Sequence, residues 1–466
     1  MNNKIKYLGK NVFLFMLNGF VPRLISFFMV PIYTGYLTTA EYGVSDLIMT
    51  TVWLCVPIFT LDIQDAVMRF ALDKNYDQKD VFSVAFRINL IGAVCVCVGA
   101  FIVSLLHISG VEKNYLIFFV VIYFMTALSN SISLFCRGID KVHVMVESGV
   151  LSSIAGVLLN ILFLVCFKWG LMGYLFANTI GSVLGLLWCV FRAKLYRYIK
   201  FRIPGDLHRE MIKFSFPLIF SVIAWWINSS SDRYILTGML GIAASGLYAV
   251  AYKIPNILTV FQNVFTQAWS ISAIKEFDKN DSDGFISNMY TMMNLGMVIL
   301  CSGIMVFNIP LAKILYSNDF YEAWKFVPPL LISVVFNAMA LFIGSIFTAV
   351  KDTKTLSAST IIGAVVNIVC NVIFIKLCGS YGAALATLLG YAVVMIMRHV
   401  ILRKHVILHI NWFRDITVYF VLIIQMVISM WGINAILWQL IPFMIIMISY
   451  GKEINLFLKR IRRKGK

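Results

Sequence analysis

The sequence predicts an all-α integral membrane protein of about 14 transmembrane helices, arranged as two pseudo-symmetric six-helix lobes plus two C-terminal helices. Of its 466 residues, 60% are hydrophobic and 13% are charged, and the mean hydropathy is +0.86. Soluble domains carry roughly 45–50% apolar and about 25% charged residues. The apolar residues form runs of membrane-spanning length, and Lys and Arg cluster between alternate runs. A water-soluble enzyme and a disordered chain are therefore both excluded.

Runs of about 20 apolar residues, the length that crosses the hydrocarbon core, give the predicted spans. They begin near Asn11, Tyr42, Phe82, Tyr115, Ser148, Leu171, Met211, Gly246, Phe285, Trp324, Leu356, Gly382, Trp412 and Trp431. The first run is too long for a signal peptide and lacks a small-residue cleavage pattern, so we expect it to remain as a helix.

The net charge of +17 is distributed unevenly over the loops. Cytoplasmic loops of membrane proteins hold an excess of Lys and Arg. With the N-terminus inside, most cations fall on the cytoplasmic side, including a dense segment over 192–213 and a basic tail over 459–466. This split predicts a multi-pass protein with both termini cytoplasmic, whose basic tail contacts anionic lipid. It also explains the charge without nucleic acid as a partner.

An internal repeat suggests the organisation of the lobes. The segment Leu37–Gly43 matches Leu240–Gly246, which lies 203 residues further along the chain, and Gly173–Gly181 resembles Gly382–Gly390. Repeats an even number of spans apart share one orientation. We therefore predict an N-terminal lobe over 1–199 (spans 1–6), a C-terminal lobe over 200–405 (spans 7–12), and spans 13–14 with a basic tail over 406–466. Transporters use this plan and bind substrate between lobes that rock around it.

Two cations lie within predicted spans, where ionisable groups are costly and usually functional. Arg23 lies deep in span 1, and Lys253 lies about two turns inside span 8. We expect both to line a wet cavity. A structural ion pair and snorkelling to the interface remain alternatives.

Span 7 carries six polar residues in a row, Asn228–Arg233. Six successive positions cover every face of a helix. The run therefore indicates a wet cavity or an ion site, and a local pair between Asp232 and Arg233 is the alternative. Asp46 is expected in the first turn of span 2, where the helix dipole stabilises a carboxylate.

Asn367 and Asn371 lie one turn apart on span 11, so their amides share a face. Together with Thr387 on span 12 and Asp232 on span 7, they offer hard oxygen ligands for a small cation. Interhelical hydrogen bonding is the alternative. The sequence has no phosphate-binding loop of the Gly-x-x-x-x-Gly-Lys-Ser/Thr type, no Cys-x-x-Cys pair and no metal-spaced histidine cluster, so it indicates neither ATP hydrolysis by that route nor a zinc site.

The segment Arg23–Gly43 resembles the first-helix signature of bacterial polysaccharide (oligosaccharide) flippases, and Asp232–Leu236 and Gly246–Pro255 resemble the matching signature of the second lobe. These belong to the multidrug/oligosaccharidyl-lipid/polysaccharide exporter (MOP) superfamily. The resemblance implies a transporter rather than an enzyme. It would move an undecaprenyl-pyrophosphate-linked oligosaccharide across the bacterial plasma (inner) membrane, by ion-coupled alternating access, for a surface polymer such as O-antigen (lipopolysaccharide) or capsule.

The resemblance also implies roles for particular residues. Arg23 and Lys253, with Arg233 adding to them, would hold the pyrophosphate in a cationic cavity. Related lipid II flippases bind sodium through residues that correspond here to Asp232, Asn367, Asn371, Thr387 and the carbonyl of Ala383. The sequence departs from that set by having Asn371 where an acidic ligand is expected, so proton coupling through Asp232 or Asp46 stays open. The implied partners are the lipid-linked oligosaccharide, membrane lipids and polysaccharide polymerase machinery.

Three other functions compete. A lipid II flippase and a multidrug exporter would share the fold, but cationic drugs need acidic cavity residues and the embedded charges here are mostly basic. A membrane polymerase or glycosyltransferase would normally carry a large external loop or a nucleotide-sugar domain, and the sequence shows neither.

Overall fold

The computed structural model describes residues 22, 24–106, 113–201, 203–432 and 435–455. Every regular element in those ranges is a helix, which confirms the predicted all-α class. The first predicted span lies mostly outside the described residues. Its described part, Leu24–Tyr36, is a short apolar helix.

We number the α-helices in chain order. They are α1 (Val30–Tyr36), α2 (Thr39–Phe59), α3 (Ile63–Ala71), α4 (Gln78–Leu105), α5 (Lys113–Gly138), α6 (Val142–Asn160), α7 (Gly170–Arg192), α8 (Gly205–Leu240), α9 (Ile242–Ala251), α10 (Pro255–Lys275), α11 (Phe285–Val306), α12 (Asn308–Leu315), α13 (Val327–Ala349), α14 (Thr353–Cys378), α15 (Ser380–Leu402), α16 (Trp412–Ser429) and α17 (Ala435–Ser449). A π-helical stretch, Ile161–Cys166, continues α6, and two 3₁₀ segments, Leu195–Tyr198 and Asn318–Lys325, follow α7 and α12.

Among the described residues, 11 helices are long and apolar enough to cross a membrane, and three more apolar helices are shorter. The chain is thus a multi-pass membrane protein, and the described residues do not confirm the predicted count of 14 spans. Predicted span 8 shows one reason. Its first part, α9, has 10 residues and ends before Pro255, which begins α10. Proline disfavours helical geometry in the residue before it and is favoured at the first position of a new helix.

The chain divides into two compact units, Met1–Ser230 and Ser231–Lys466, and the boundary falls inside α8. The predicted lobes follow the internal repeat and not this boundary, and they stay a prediction. In the first unit, one hydrophobic core joins α3, α4, α5 and α7 around fully buried side chains such as Phe135. A second core packs Val52, Tyr123 and Leu175 of α2, α5 and α7.

The helix starts in the two repeated segments lie at matching positions. Thr38 caps α2: its hydroxyl accepts from the backbone N–H of Glu41 at 3.2 Å, while the Glu41 carboxylate accepts from the N–H of Thr38 at 2.8 Å. This capping box satisfies N–H groups that a helix start leaves unpaired. The residue 203 positions later, Gly241, precedes α9 with a φ of +92° that favours glycine. Both short links are therefore fixed locally by their own sequence.

Close glycine contacts pack two neighbouring helix pairs. A methyl group at Gly181 of α7 would lie 3.0 Å from the backbone nitrogen of Gly156 on α6. A methyl group at Gly390 of α15 would lie 3.0 Å from Cβ of Asn367 on α14. Small residues allow membrane helices to approach closely. These glycines belong to the repeated segments Gly173–Gly181 and Gly382–Gly390, so the repeat marks a shared packing arrangement.

The second unit is organised around α13, of whose spanning window 89% is buried. Arg398 of α15 is 4% exposed and binds neutral oxygens. Its Nη1 donates to the carbonyl of Ala340 on α13 at 2.7 Å. Its Nε and Nη2 donate to the hydroxyls of Ser359 and Thr360 on α14, each at 3.0 Å. One buried guanidinium therefore joins α13, α14 and α15.

Polar contacts hold the C-terminal helices to the same unit. Gln425 of α16 accepts from the hydroxyl of Ser302 on α11 at 2.6 Å and donates back to its carbonyl at 3.1 Å. Near the end of the described chain, Tyr450 accepts from Asn294 of α11 at 3.0 Å. Buried amide and hydroxyl groups need such partners where water is absent. The last two helices are therefore an integral part of the second unit.

Candidate functional site

The polar run of span 7 lies inside the continuous helix α8. Asp232 is 3% exposed, and its Oδ1 lies 3.4 Å from Nη1 of Arg233. The backbone N–H of Arg233 donates to the same oxygen at 3.0 Å. The guanidinium carbon also lies 4.9 Å from the ring centroid of Tyr252, in reach of a cation–π contact. The local Asp232–Arg233 pair, which the sequence left as an alternative, is therefore formed.

A chain of hydroxyl groups leads from this carboxylate to α15. Tyr252 donates to Oδ2 of Asp232 at 3.2 Å, and its oxygen lies 3.3 Å from that of Tyr248. The Tyr248 hydroxyl lies 3.3 Å from the hydroxyl of Thr387, which donates to the carbonyl of Ala383 at 3.1 Å. We call this series the Asp232–Thr387 chain. It connects three helices, α8, α9 and α15, through side chains that are all at least half-buried.

Sequence reasoning did not assign a role to the two tyrosines. Both stand in the Gly246–Pro255 segment, four residues apart. Residues at that spacing share one face of a helix, and a buried phenol needs a hydrogen-bond partner. The spacing of Tyr248 and Tyr252 on a short apolar helix was therefore a usable signal.

The asparagine pair of span 11 forms its own contact. Nδ2 of Asn371 donates to Oδ1 of Asn367 at 3.1 Å and to its carbonyl at 3.0 Å. Oδ1 of Asn371 is buried without a hydrogen-bond partner among the described residues. Among the residues that the structure describes, no hydrogen bond links the Asn367 or Asn371 amide to Asp232. The structure thus brings Asp232, Thr387 and Ala383 together and leaves the two asparagines as a separate contact on α14.

The residues predicted to bind sodium can be tested against this geometry. The unpartnered Oδ1 of Asn371 is a suitable ligand atom for a hard cation. However, both oxygens of Asp232 already accept hydrogen bonds, from Arg233 and from Tyr252. Affinity for a cation depends on ligand charge, and Arg233 brings the formal charge of the predicted set to zero. The set therefore does not fit sodium in this structure. The described residues also contain no group of three His, Cys, Asp or Glu side chains that could hold a metal.

The remaining predicted site residues lie elsewhere. Lys253 is half-buried in the turn that separates α9 from α10, next to Tyr252. Asp46 is half-buried on α2, which begins at Thr39. The acidic residue of the first turn is consequently Glu41, and the dipole role predicted for Asp46 is wrong because that effect fades beyond the first turn. Arg23 lies outside the described residues.

The buried ion pair and the hydroxyl chain thus lie in a polytopic membrane protein with many apolar helices. A family model for polysaccharide biosynthesis proteins matches residues 8–271, and a model for the lipid II flippase MurJ matches residues 269–451. The chain belongs to the polysaccharide biosynthesis protein family.

Individual relatives agree with this assignment. The probable low-salt glycan biosynthesis flippase Agl15 of Haloferax volcanii is 27% identical over 190 residues, which are 40% of this chain and 40% of that protein. The chain therefore matches less than half the length of this curated relative. The inward closed conformation of the lipid II flippase MurJ has a TM-score of 0.70 at 15% identity, over 95% of this chain and 100% of that chain.

A multidrug resistance MATE transporter of the MOP superfamily, in its inward-facing conformation, has a TM-score of 0.66 at 14% identity, over 84% of this chain and 94% of that chain. The two solved structures show the fold. Together with the family models they confirm the predicted resemblance to polysaccharide flippases of the MOP superfamily. These families and fold neighbours are flippases and transporters, not catalytic enzymes.

Proposed function

We propose that the protein moves an undecaprenyl-pyrophosphate-linked oligosaccharide from the cytoplasmic to the outer leaflet of a bacterial plasma membrane, by alternating access. The product would supply a surface polymer such as O-antigen or capsule. The observation that carries the proposal is the family match over 8–271, because that segment also contains the predicted headgroup residues Arg23, Arg233 and Lys253. These three cationic side chains would attract a diphosphate and repel a cationic drug.

Two of these cations lie close to Tyr252, one in space and one in sequence. Arg233 lies over the ring of Tyr252, and Lys253 is the next residue in the chain. A pyrophosphate that leaves water needs charge-assisted hydrogen bonds to replace its hydration. Guanidinium and ammonium groups both bind phosphate oxygens, the first in a planar fork and the second as a compact charge. We therefore assign Arg233 and Lys253 to the headgroup, together with Arg23.

The pairing of Asp232 with Arg233 supports proton coupling in particular. While Asp232 is ionised, the pair is neutral and Arg233 contributes little net charge to phosphate binding. When Asp232 takes up a proton, its carboxyl group stops offsetting the charge of Arg233, which then attracts the anionic headgroup more strongly. The Asp232–Thr387 chain supplies hydrogen-bonded hydroxyls next to the carboxylate. Proton uptake and substrate binding would thus be linked through two adjacent residues.

The proposal is tested first in cells. Removal of the gene should cause a lipid-linked oligosaccharide to accumulate on the cytoplasmic side, and its chemical identification names the substrate. Arg23→Ala and Lys253→Ala should abolish the surface polymer while the protein stays in the membrane. Lys313→Ala, which alters an exposed lysine, is the matched control. Normal polymer in both site variants would contradict the assigned headgroup residues.

Coupling is tested in proteoliposomes that contain the purified protein and the accumulated lipid. A pH gradient should drive transport in the absence of sodium, and Asp232→Asn should make transport independent of that gradient. Transport that requires a sodium gradient would instead revive the sodium set.

A lipid II flippase is the second candidate, favoured by the match of residues 269–451 to the MurJ model and by the fold likeness. Flipping of lipid II by the purified protein, with no accumulation of another glycolipid in cells lacking the gene, would establish it.

A further inference from the structure

The first unit contains a cavity of about 820 Å³ that the proposed transport does not use. Its walls come from the end of α3, the start of α4, the turn between α5 and α6, and the segment after α7. Five cationic side chains line it: Lys74, Lys79, Lys141, Lys194 and Arg197. We call it the basic cavity. It lies among loops that the charge pattern predicts to be cytoplasmic.

Two acidic residues also line the basic cavity, and cations outside its lining pair with both. Oδ2 of Asp77 lies 2.7 Å from Nζ of Lys200, and Oδ2 of Asp73 lies 3.8 Å from Nη1 of Arg69. The hydrogen bond from Lys200 holds the pKa of Asp77 below its ordinary value. With five cations and two acids, the lining carries a net positive formal charge.

The cations differ in how they are held. Nζ of Lys141 donates to the carbonyl of Ala193 at 2.8 Å and lies 5.6 Å from the ring centroid of Tyr198. The side chains of Lys74 and Lys194 are exposed, and within the described ranges no hydrogen bond or ion pair engages them. One cation is thus fixed in the wall, while others can reorient towards a ligand.

The floor of the basic cavity rests on rigid packing. Tyr198 packs edge-on against buried Phe135, with ring centroids 5.3 Å apart. The hydroxyl of Ser83 donates to the carbonyl of Tyr198 at 3.0 Å and accepts from the N–H of Lys200 at 2.7 Å. These contacts fix the segment after α7 on the first turns of α4. The backbone of the segment that carries Lys194 and Arg197 is therefore held in place by its own contacts.

We propose that the basic cavity binds a phosphate-bearing anion at the cytoplasmic membrane surface, carried by a lipid headgroup or by a soluble polyphosphate. The excess of Lys and Arg in cytoplasmic loops accounts for cations in these loops. It does not require them to line one concave surface, where like charges repel. A cleft lined by one sign of charge concentrates the opposite ion. The volume lies in the range of small-molecule sites, about 300–1,000 Å³. This site is separate from the headgroup residues proposed for transport and does not depend on that function.

Binding is measured on the full-length purified protein. Calorimetric titration with inorganic pyrophosphate tests the soluble source. Native mass spectrometry, counting phosphatidic acid adducts against phosphatidylcholine adducts, tests the lipid source. The variant Lys74→Gln/Lys194→Gln/Arg197→Gln should weaken binding at least about tenfold, or about 1.4 kcal/mol, in whichever arm responds. The arm that responds identifies the source, and a response in both supports the shared phosphate chemistry.

Matched variants separate a site from general surface charge. Lys275→Gln/Lys279→Gln/Lys354→Gln removes three exposed cations elsewhere and should leave binding unchanged. The charge-preserving variant Lys74→Arg/Lys194→Arg should retain binding. If the triple Gln variant does not fold, the three single Gln variants are measured in its place. Equal losses in the triple and its control would overturn the proposal. So would unchanged affinity in the triple, or failure of the unaltered protein to bind either probe.

Discussion

The hydroxyl of Tyr252 donates a 3.2 Å hydrogen bond to Oδ2 of Asp232, and this contact joins the C-terminal end of α9 to α8. Tyr252 and Lys253 both lie in the turn that separates α9 from α10. The carboxylate of Asp232 is therefore in direct contact with a residue of the break between α9 and α10.

The buried pair predicts a double-mutant cycle. Asp232→Asn removes the carboxylate that pairs with Arg233, and Arg233→Gln removes the guanidinium that pairs with Asp232. Each should lower the free energy of unfolding by about 3–5 kcal/mol, the usual effect of breaking a buried pair. The double variant should be more stable than the sum of the two losses implies. Thermal unfolding in detergent measures this, and strictly additive losses would show that the pair contributes no coupling.

The hydroxyl chain predicts unequal effects of its tyrosines. Tyr252→Phe removes the hydrogen bond to the carboxylate, whereas Tyr248→Phe removes a contact further along, to Thr387. A hydrogen bond to a charged group contributes about 1.5–3 kcal/mol and a neutral one about 0.5–1.5 kcal/mol. Transport driven by a pH gradient should therefore fall further in Tyr252→Phe. Tyr36→Phe, at an exposed tyrosine, is the control, and the opposite order would contradict the proposed coupling.

Lys200 lies outside the lining of the basic cavity, but it should still affect anion binding there. Lys200→Gln removes the cation that pairs with Asp77 and Asp80, so pyrophosphate affinity should fall although no lining cation has changed. The pKa of Asp77 is lowered from 3.8 and that of Lys200 is raised from 10.5. The stability contributed by Asp77 is thus present above its ordinary pKa and lost as the pH falls through the lowered value. That contributed by Lys200 is present below its ordinary pKa and lost as the pH rises through the raised value.

Melting temperatures of the unaltered protein and Lys200→Gln should accordingly differ at neutral pH and converge in acid. A difference that persists well below the pKa of Asp77 would indicate another role for Lys200.

Close packing at the start of α15 predicts a further loss of stability. A methyl group at Gly382 would lie 2.1 Å from the carbonyl oxygen of Phe374, which is backbone and cannot rotate away. Gly382→Ala should therefore cost about 1–3 kcal/mol, the range for overpacking. Gly99→Ala is the matched control, because nothing lies within 4 Å of its added methyl group. Similar melting temperatures for both variants would contradict the packing described here.

Much of the fold follows from composition and run length, since a membrane admits few alternatives to helices. Run length placed a single span 8 from near Gly246, and it did not predict that α9 ends after 10 residues and that Pro255 begins a new helix. The start of α2 was also placed too late, at Tyr42 instead of Thr39. The capping pair Thr38 and Glu41 marks that start, and hydropathy does not register it.

The candidate site was predicted in part. Asp232 and Thr387 were singled out for their chemistry, and the structure links them. The link runs through Tyr248 and Tyr252, whose partners depend on how α9 packs between α8 and α15 and cannot be read from local sequence. The basic cavity was missed for a different reason. Its lysines were fully explained by topology, and their convergence exists only in three dimensions.

The charged guanidinium of Arg398 donates its hydrogen bonds to uncharged oxygens of α13 and α14. It does not lose its proton near neutral pH, and separating these helices would leave the charge without its hydrogen-bond partners in an apolar surrounding. Any rearrangement during a transport cycle should therefore carry α13, α14 and α15 together as one block. Motion would then concentrate where the backbone is already interrupted, in the residues around Lys253.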